Sequence, residues 1–167
     1  MIKNIVWSVV FSFIAAVIQS TLLFRLPLYG AVPDLALGII VYSAYVNGVM
    51  TGQLSGFFYG ITLDLLSAAP LGLNMLVRTL IGALAGFMKG TFFLDSFFLP
   101  MILCACATLL KAIILFFLSL LFTGSVPSYN FLTPMLWAEV ALNTLSAPVL
   151  FALLKRFGSL LAGREQY

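Results

Sequence analysis

The sequence predicts an all-α integral membrane protein in which six transmembrane helices form one domain over residues 1–167. Of its 167 residues, 63% are hydrophobic and 8% are charged, whereas a soluble domain carries roughly 25% charged residues. Apolar runs of nearly membrane-spanning length recur along the chain, which is typical of transmembrane helices. The length suits a single compact domain.

The apolar runs place the six helices at about residues 5–24, 35–46, 51–66, 72–89, 97–122 and 133–154. Asp34 follows Pro33 and stands where the N-cap of the second helix belongs. One helix through residues 35–66 would be ~48 Å long, too long for a ~30 Å hydrocarbon core, so a turn is expected at Asn47-Gly48. The second helix is short for a complete crossing, and the sequence leaves open whether it spans fully.

Basic residues determine the predicted orientation. With six spans both termini share one side, which collects five basic residues, while the other side receives only Arg25. The positive-inside rule then predicts cytoplasmic termini, whereas five spans would export the basic pair that follows the last helix. The five residues are Lys3, Lys89, Lys155, Arg156 and Arg164.

Several function classes are disfavoured by composition. The net charge of +3 is scattered, so we expect no nucleic-acid partner, and the absence of histidine removes the usual imidazole ligands and bases. Cys104 and Cys106 project from different sides of one helix and are interpreted as small apolar residues. We therefore expect no metal, no cofactor and no catalytic residues, and the enzyme hypothesis is the weakest.

Four ionisable residues fall within the predicted spans, namely Asp64, Arg78, Lys111 and Glu139. Such charges are costly when they face lipid, so they should face the bundle interior and pair, with Lys111 and Glu139 as one weaker candidate pair. The predicted topology also groups polar residues in the outward half. They either fix helix packing or line an outward cavity or partner-docking pocket, and both interpretations stay open. This outward polar cluster comprises Gln19, Asn74, Lys111, Glu139 and Asn143.

The third and fourth spans carry glycine rows of four-residue spacing that each end in one charge. Rows of small residues allow two helices in a membrane to approach closely. In an antiparallel hairpin the two opposite charges would differ in height by ~6 Å, which an Arg side chain can bridge. We therefore predict a tight hairpin locked by an Asp64–Arg78 ion pair. The rows are Gly52, Gly56, Gly60 and Asp64 in one span, and Arg78, Gly82, Gly86 and Gly90 in the next.

Residues 32–90 also resemble the rod shape-determining MreD family. The resemblance lies in Pro33-Asp34 opening a helix, a glycine-rich helix ending in Asp64, and a Pro70-Leu71-Gly72 turn into the next helix. Chain length and span count also agree with that family. The resemblance implies a fold similar to the six-helix substrate-binding subunits of energy-coupling-factor vitamin transporters, whose pocket opens outward.

The resemblance further implies a function that spacing alone does not give. It suggests a non-catalytic subunit of the bacterial cell-elongation complex, in the cytoplasmic (inner) membrane. Its implied partners are the scaffold protein MreC and, through it, the MreB filament and the peptidoglycan polymerase–transpeptidase pair. A substrate-binding subunit of a small-molecule transporter is the alternative. Oligomeric state and the helices that contact MreC are not indicated.

Overall fold

A computed structural model describes residues 2–21, 29–67, 70–91, 97–122, 126 and 131–161. Within these ranges the chain forms six long helices and one short C-terminal helix. They are α1 (Ile2–Thr21), α2 (Leu35–Asn47), α3 (Val49–Leu66), α4 (Leu73–Phe87), α5 (Phe98–Leu121), α6 (Pro134–Arg156) and α7 (Gly158–Leu161).

The ends of the six long helices lie within three residues of the predicted spans. Three of the helices, α1, α5 and α6, are long and apolar enough to cross a membrane, and α2 and α4 are shorter apolar helices. The helical membrane architecture is therefore confirmed, while the number of crossings stays a prediction. Arg25 and Arg164, on which the predicted orientation partly depends, lie outside the described residues.

Side-chain contacts give the directions of the helices. Asp34 and Asn47, at the two ends of α2, contact Arg78 in the N-terminal half of α4 and Lys89 just after its C-terminus, so α2 and α4 run in the same direction. Bonds from α5 to α6 join Lys111 to Glu139 and Thr108 to Asn143, which makes that pair antiparallel. We call the end of the bundle where α2 begins the Asp34 end.

Helix α2 forms the centre of the bundle. Every residue from Ala36 to Val46 is buried, and α2 packs against each of the other five long helices. Its 13 residues give a length of about 20 Å, less than the ~30 Å hydrocarbon core. A helix enclosed by protein can end inside the membrane, provided that the polar backbone groups at its ends find partners.

The glycine rows of α3 and α4 face each other in a tight antiparallel hairpin. A Cβ at Gly56 would lie 2.6 Å from the carbonyl carbon of Arg78, and one at Gly86 would lie 2.5 Å from the backbone nitrogen of Val49. Gly52 and Gly82 likewise lie directly against each other's backbone, and Gly60 lies against Met75. No side chain larger than hydrogen fits at these positions without moving a backbone.

Gly90 departs from the predicted row. It lies beyond the end of α4, where it has a φ of +75°, and a Cβ there would meet no atom within 4 Å. Its four-residue spacing from Gly86 therefore does not reflect helix packing. Gly90 instead supplies a left-handed backbone conformation in the turn after the helix.

Candidate functional site

Asp34 lies at the start of the central helix and bonds to its backbone. Its Oδ1 accepts a hydrogen bond from the Leu37 amide at 3.0 Å, as an N-cap residue does. The Asp34 amide in turn donates to Asn143 Oδ1 at 2.7 Å. The capping predicted from the Pro33-Asp34 sequence is thus present, and α6 also fixes this end of α2.

The second carboxylate oxygen of Asp34 is the centre of a buried charge cluster, which we define as Asp34, Arg78, Lys111 and Glu139. Arg78 Nη2 lies 2.9 Å from Asp34 Oδ2, and Lys111 Nζ lies 3.4 Å from the same oxygen. Lys111 also pairs with Glu139, as the sequence suggested. The charge cluster joins α2, α4, α5 and α6 and contains two positive and two negative charges.

Uncharged side chains extend this network along α5 and α3. Asn143 Nδ2 donates to Thr108 Oγ1 at 2.9 Å, and the Thr108 hydroxyl donates to the Cys104 carbonyl at 2.8 Å. The Arg78 guanidinium lies over the Tyr59 ring, 4.9 Å from its centroid, in a cation–π contact. Each of the five long helices α2 to α6 therefore contributes a side chain to one continuous polar network.

The predicted Asp64–Arg78 ion pair is wrong, because Arg78 pairs with Asp34. The predicted height difference between the two residues was ~6 Å. In the hairpin Arg78 lies opposite Gly56, eight residues before Asp64, which corresponds to about 12 Å along a helix. That separation is too large for the pair, and the carboxylate of Asp34 is available at the level of Arg78.

Asp64 instead caps the start of α4. It accepts hydrogen bonds from the backbone amides of Gly72, Asn74 and Met75 at 3.0, 2.9 and 3.1 Å, and from the Asn74 side chain at 2.9 Å. The N-cap residue Gly72 has no side chain to do this. A negative charge at a helix N-terminus is also favoured by the helix dipole. Asp64 therefore stabilises the turn that contains Pro70 and Gly72, which is part of the segment that resembles the MreD family.

The predicted outward polar cluster separates into three groups in the structure. Lys111, Glu139 and Asn143 belong to the network around Asp34. Asn74 bonds to Asp64 at the end of the hairpin. Gln19 lines a cavity beside Arg78, between α1, α3 and α4.

The chemistry of the charge cluster is that of a compensated structural network. A cavity of only about 10 Å³ adjoins Asp34, Thr108 and Asn143, which is room for about one water molecule. Cys104 is buried and Cys106 exposed, and both are free thiols. In the described part of the chain, no three His, Cys, Asp or Glu residues come together as metal ligands would.

Sequence reasoning missed three members of the network. Asp34 was assigned as a helix cap and as part of the segment that resembles the MreD family, but not as a partner of Arg78, and Thr108 and Tyr59 were not singled out. The Pro33-Asp34 motif together with the shortness of the second helix was the signal for Asp34, because a short helix at the centre of a bundle buries the residue at its start. An isolated Thr or Tyr in an apolar helix gives no comparable signal.

Comparison with known proteins identifies the family. Residues 1–157 match the family of the rod shape-determining protein MreD. Neither the curated proteins nor the solved structures gave a match. The match covers almost the whole chain and confirms the resemblance found in residues 32–90. The chain therefore belongs to the MreD family of rod shape-determining membrane proteins.

Proposed function

We propose that this chain is a non-catalytic membrane subunit of the bacterial cell-elongation complex, where it scaffolds MreC and, through it, the MreB filament and the peptidoglycan synthesis machinery. Membership of the MreD family implies a role in rod shape determination. We propose in addition that the chain acts as a scaffold and catalyses no reaction itself.

One observation from the structure supports this assignment. The charged side chains of the network compensate each other: Asp34 bonds to Arg78 and Lys111, and Lys111 also bonds to Glu139. A general acid or base needs a reacting group within reach and a protonation state that can change during the reaction. Charges locked to each other at the centre of a bundle instead fix the relative positions of helices, as a rigid scaffold requires.

The test is complementation and co-purification in a rod-shaped bacterium depleted of its own MreD. The tagged chain should restore rod shape and should co-purify with MreC from mild detergent. Co-purification with an ATPase module in place of MreC would support the transporter alternative and contradict the proposal. So would turnover of a peptidoglycan precursor by the purified chain alone, if Glu139→Gln abolished it.

The proposed membrane topology has six crossings and cytoplasmic termini. The basic residues Lys155 and Arg156 in the last turn of α6 support it, because basic residues favour the cytoplasmic side. A single cysteine at Leu160, in a background without the native cysteines, should react with a membrane-impermeant maleimide only after the cells are permeabilised. Labelling in intact cells would refute this orientation.

A further inference from the structure

The end of the bundle where α2 finishes, which we call the Asn47 end, gathers basic side chains from three parts of the chain. Asn4, near the start of α1, donates to Asn47 at 2.7 Å, and Lys89, just after α4, donates to the Asn47 carbonyl at 3.3 Å. Asn47 also donates to the Leu161 carbonyl of α7, which follows α6 directly. The start of α1 and the ends of α4 and α6 therefore meet here, and their basic residues are Lys3, Lys89, Lys155 and Arg156.

The charges of the described residues are divided unequally between the two ends of the bundle. Among the described acids, Asp34 and Glu139 belong to the charge cluster, and Asp64 caps the start of α4 at the Asp34 end. The described part of the chain thus places no acidic residue at the Asn47 end. The charged residues outside the described ranges are two basic and two acidic and sum to zero, namely Arg25, Asp95, Arg164 and Glu165. The net charge of +3 therefore comes from the excess of basic residues at the Asn47 end.

This positive charge is accessible from outside the protein. Lys3, Lys89 and Arg156 are exposed, and Lys155 is half-buried. Lys89 bonds to a neutral carbonyl, which leaves its positive charge in place. Clustered charges of one sign attract groups of the opposite sign, and salt screens this attraction over about 10 Å at 0.1 M. The surface therefore suits an anionic partner.

Exposed apolar side chains next to the basic ones indicate which kind of anion fits. Val6 is exposed and lies three residues after Lys3, on the same face of α1 and deeper in the bundle. Leu153 is exposed and lies three residues before Arg156 on α6, in the same relation. A phospholipid has a matching arrangement, with a phosphate at the membrane surface and acyl chains below it. An acidic polypeptide on the aqueous side would use only the basic residues.

We propose that the Asn47 end is a binding surface for anionic phospholipids. Lys3, Lys89 and Arg156 contact the phosphate groups, and the adjoining exposed apolar side chains contact the acyl chains. Each basic residue near an anionic membrane surface strengthens the association by roughly fivefold, so a zwitterionic phospholipid should bind more weakly. The surface is independent of the scaffolding role, since it requires only this chain and the bilayer.

The two tryptophans of the chain report on the two ends of the bundle separately. Trp7 lies four residues after Lys3 on the same face of α1, and Trp137 lies in the first turn of α6, at the opposite end. Trp137→Phe and Trp7→Phe each leave one of them as the reporter. The full-length chain is reconstituted in bilayers of dioleoylphosphatidylcholine and dioleoylphosphatidylglycerol. Dibrominated acyl chains, which quench tryptophan fluorescence, are placed on one of the two lipids at a time.

The ratio of the two quenching efficiencies gives the preference for the anionic lipid. With Trp7 as the reporter, phosphatidylglycerol should be preferred by at least about threefold, and with Trp137 the ratio should stay close to one. Raising the salt from about 0.1 M to about 1 M shortens the screening length from about 10 Å to about 3 Å and should reduce the preference at Trp7. Soluble glycerol phosphate should leave it unchanged, because the acyl chains contribute to binding.

Three outcomes of this measurement would overturn the proposal. The first is equal quenching by the two lipids at Trp7. The second is the same preference at Trp137 as at Trp7, since the basic end would then have no special role. The third is loss of the preference when glycerol phosphate is added, which would indicate a site for free phosphate.

Charge variants assign the preference to the basic residues. Lys3→Gln combined with Arg156→Gln removes two exposed charges and should bring the ratio at Trp7 close to one. Lys3→Arg combined with Arg156→Lys keeps both charges and should retain the preference. If the glutamine double variant does not fold, Lys89→Gln alone should still lower the ratio. An unchanged ratio in these neutral variants would refute the surface, and so would a photo-crosslinker at Ile2 that captures an acidic polypeptide and no lipid.

Discussion

Neutralising Asp34 is the perturbation that tests the charge cluster most directly. Asp34→Asn retains an N-cap side chain for the Leu37 amide but removes the negative charge that faces Arg78 and Lys111. Breaking a buried pair by removing one partner costs about 3–5 kcal/mol, and access of water in a membrane protein reduces this figure. We therefore expect Asp34→Asn to lower the unfolding free energy by about 3 kcal/mol, the lower end of that range.

A double-mutant cycle separates this ion pair from general damage. Arg78→Gln should lower the unfolding free energy by less than Asp34→Asn does, namely by about 2 kcal/mol. The reason is that Lys111 still faces Asp34 at 3.4 Å. The double variant restores charge balance, so its loss should fall short of the sum of the single losses by at least about 1.5 kcal/mol. The assay is reversible unfolding in mild detergent, followed by tryptophan fluorescence.

The matched control is the cycle of Asp64→Asn with Arg78→Gln. These two residues lie about 12 Å apart along the hairpin and share no hydrogen-bond partner among the described residues, so their losses should add within roughly 0.5 kcal/mol. Coupling in this cycle, together with additivity in the Asp34–Arg78 cycle, would refute the assignment of Arg78 to Asp34.

Three further outcomes follow from the same structure. Asp64→Ala removes the acceptor of three backbone amides at the start of α4 and should cost about 1–3 kcal/mol in the same assay, whereas an unchanged stability would show that the cap is unimportant. Gly56→Ala should destabilise the chain by at least about 2 kcal/mol through overpacking against the Arg78 backbone. Leu76→Ala, at a position of α4 that is 41% exposed, should cost less than about 1 kcal/mol. Asn47→Ala should increase hydrogen exchange at the C-terminal end of α2, because it removes the bond to the Leu161 carbonyl, and unchanged exchange there would contradict this role.

The helices and the close α3–α4 hairpin were predictable because local patterns encode them. Apolar runs give the helix positions, and the spacing of Gly52, Gly56 and Gly60 places small residues on one helix face. The backbones of two rows of this kind meet wherever the chain returns on itself through a short turn. The correct helix pairing thus required only the residues between Val49 and Phe87.

The partner of Arg78 was not predictable by the same reasoning. The prediction placed Asp34 at the edge of a span and paired Arg78 with Asp64, because the two facing glycine rows end in these opposite charges. In the structure Asp34 is buried at the start of the central helix, where its carboxylate lies 2.9 Å from Arg78. The position of Asp34 along the bundle depends on how α2 packs among α4, α5 and α6. These contacts join residues that are distant in sequence, so a local pattern does not encode them.

The central position of α2 explains the polar contacts that are found at both of its ends. A buried helix must have both ends satisfied by protein, because the hydrocarbon offers no hydrogen bonds. At one end Asp34 binds α4, α5 and α6 through its charge cluster and Asn143.

At the other end Asn47 accepts a hydrogen bond from Asn4 of α1 at 2.7 Å and donates to the Leu161 carbonyl of α7 at 2.6 Å. The ammonium of Lys89, just after α4, lies 3.3 Å from the Asn47 carbonyl, where a cation also complements the helix dipole. The surrounding helices therefore hold α2 at its two ends by directed polar bonds, and apolar packing fills the length between them. A change at either end should therefore disturb several helices at once, which is what the proposed scaffolding role predicts.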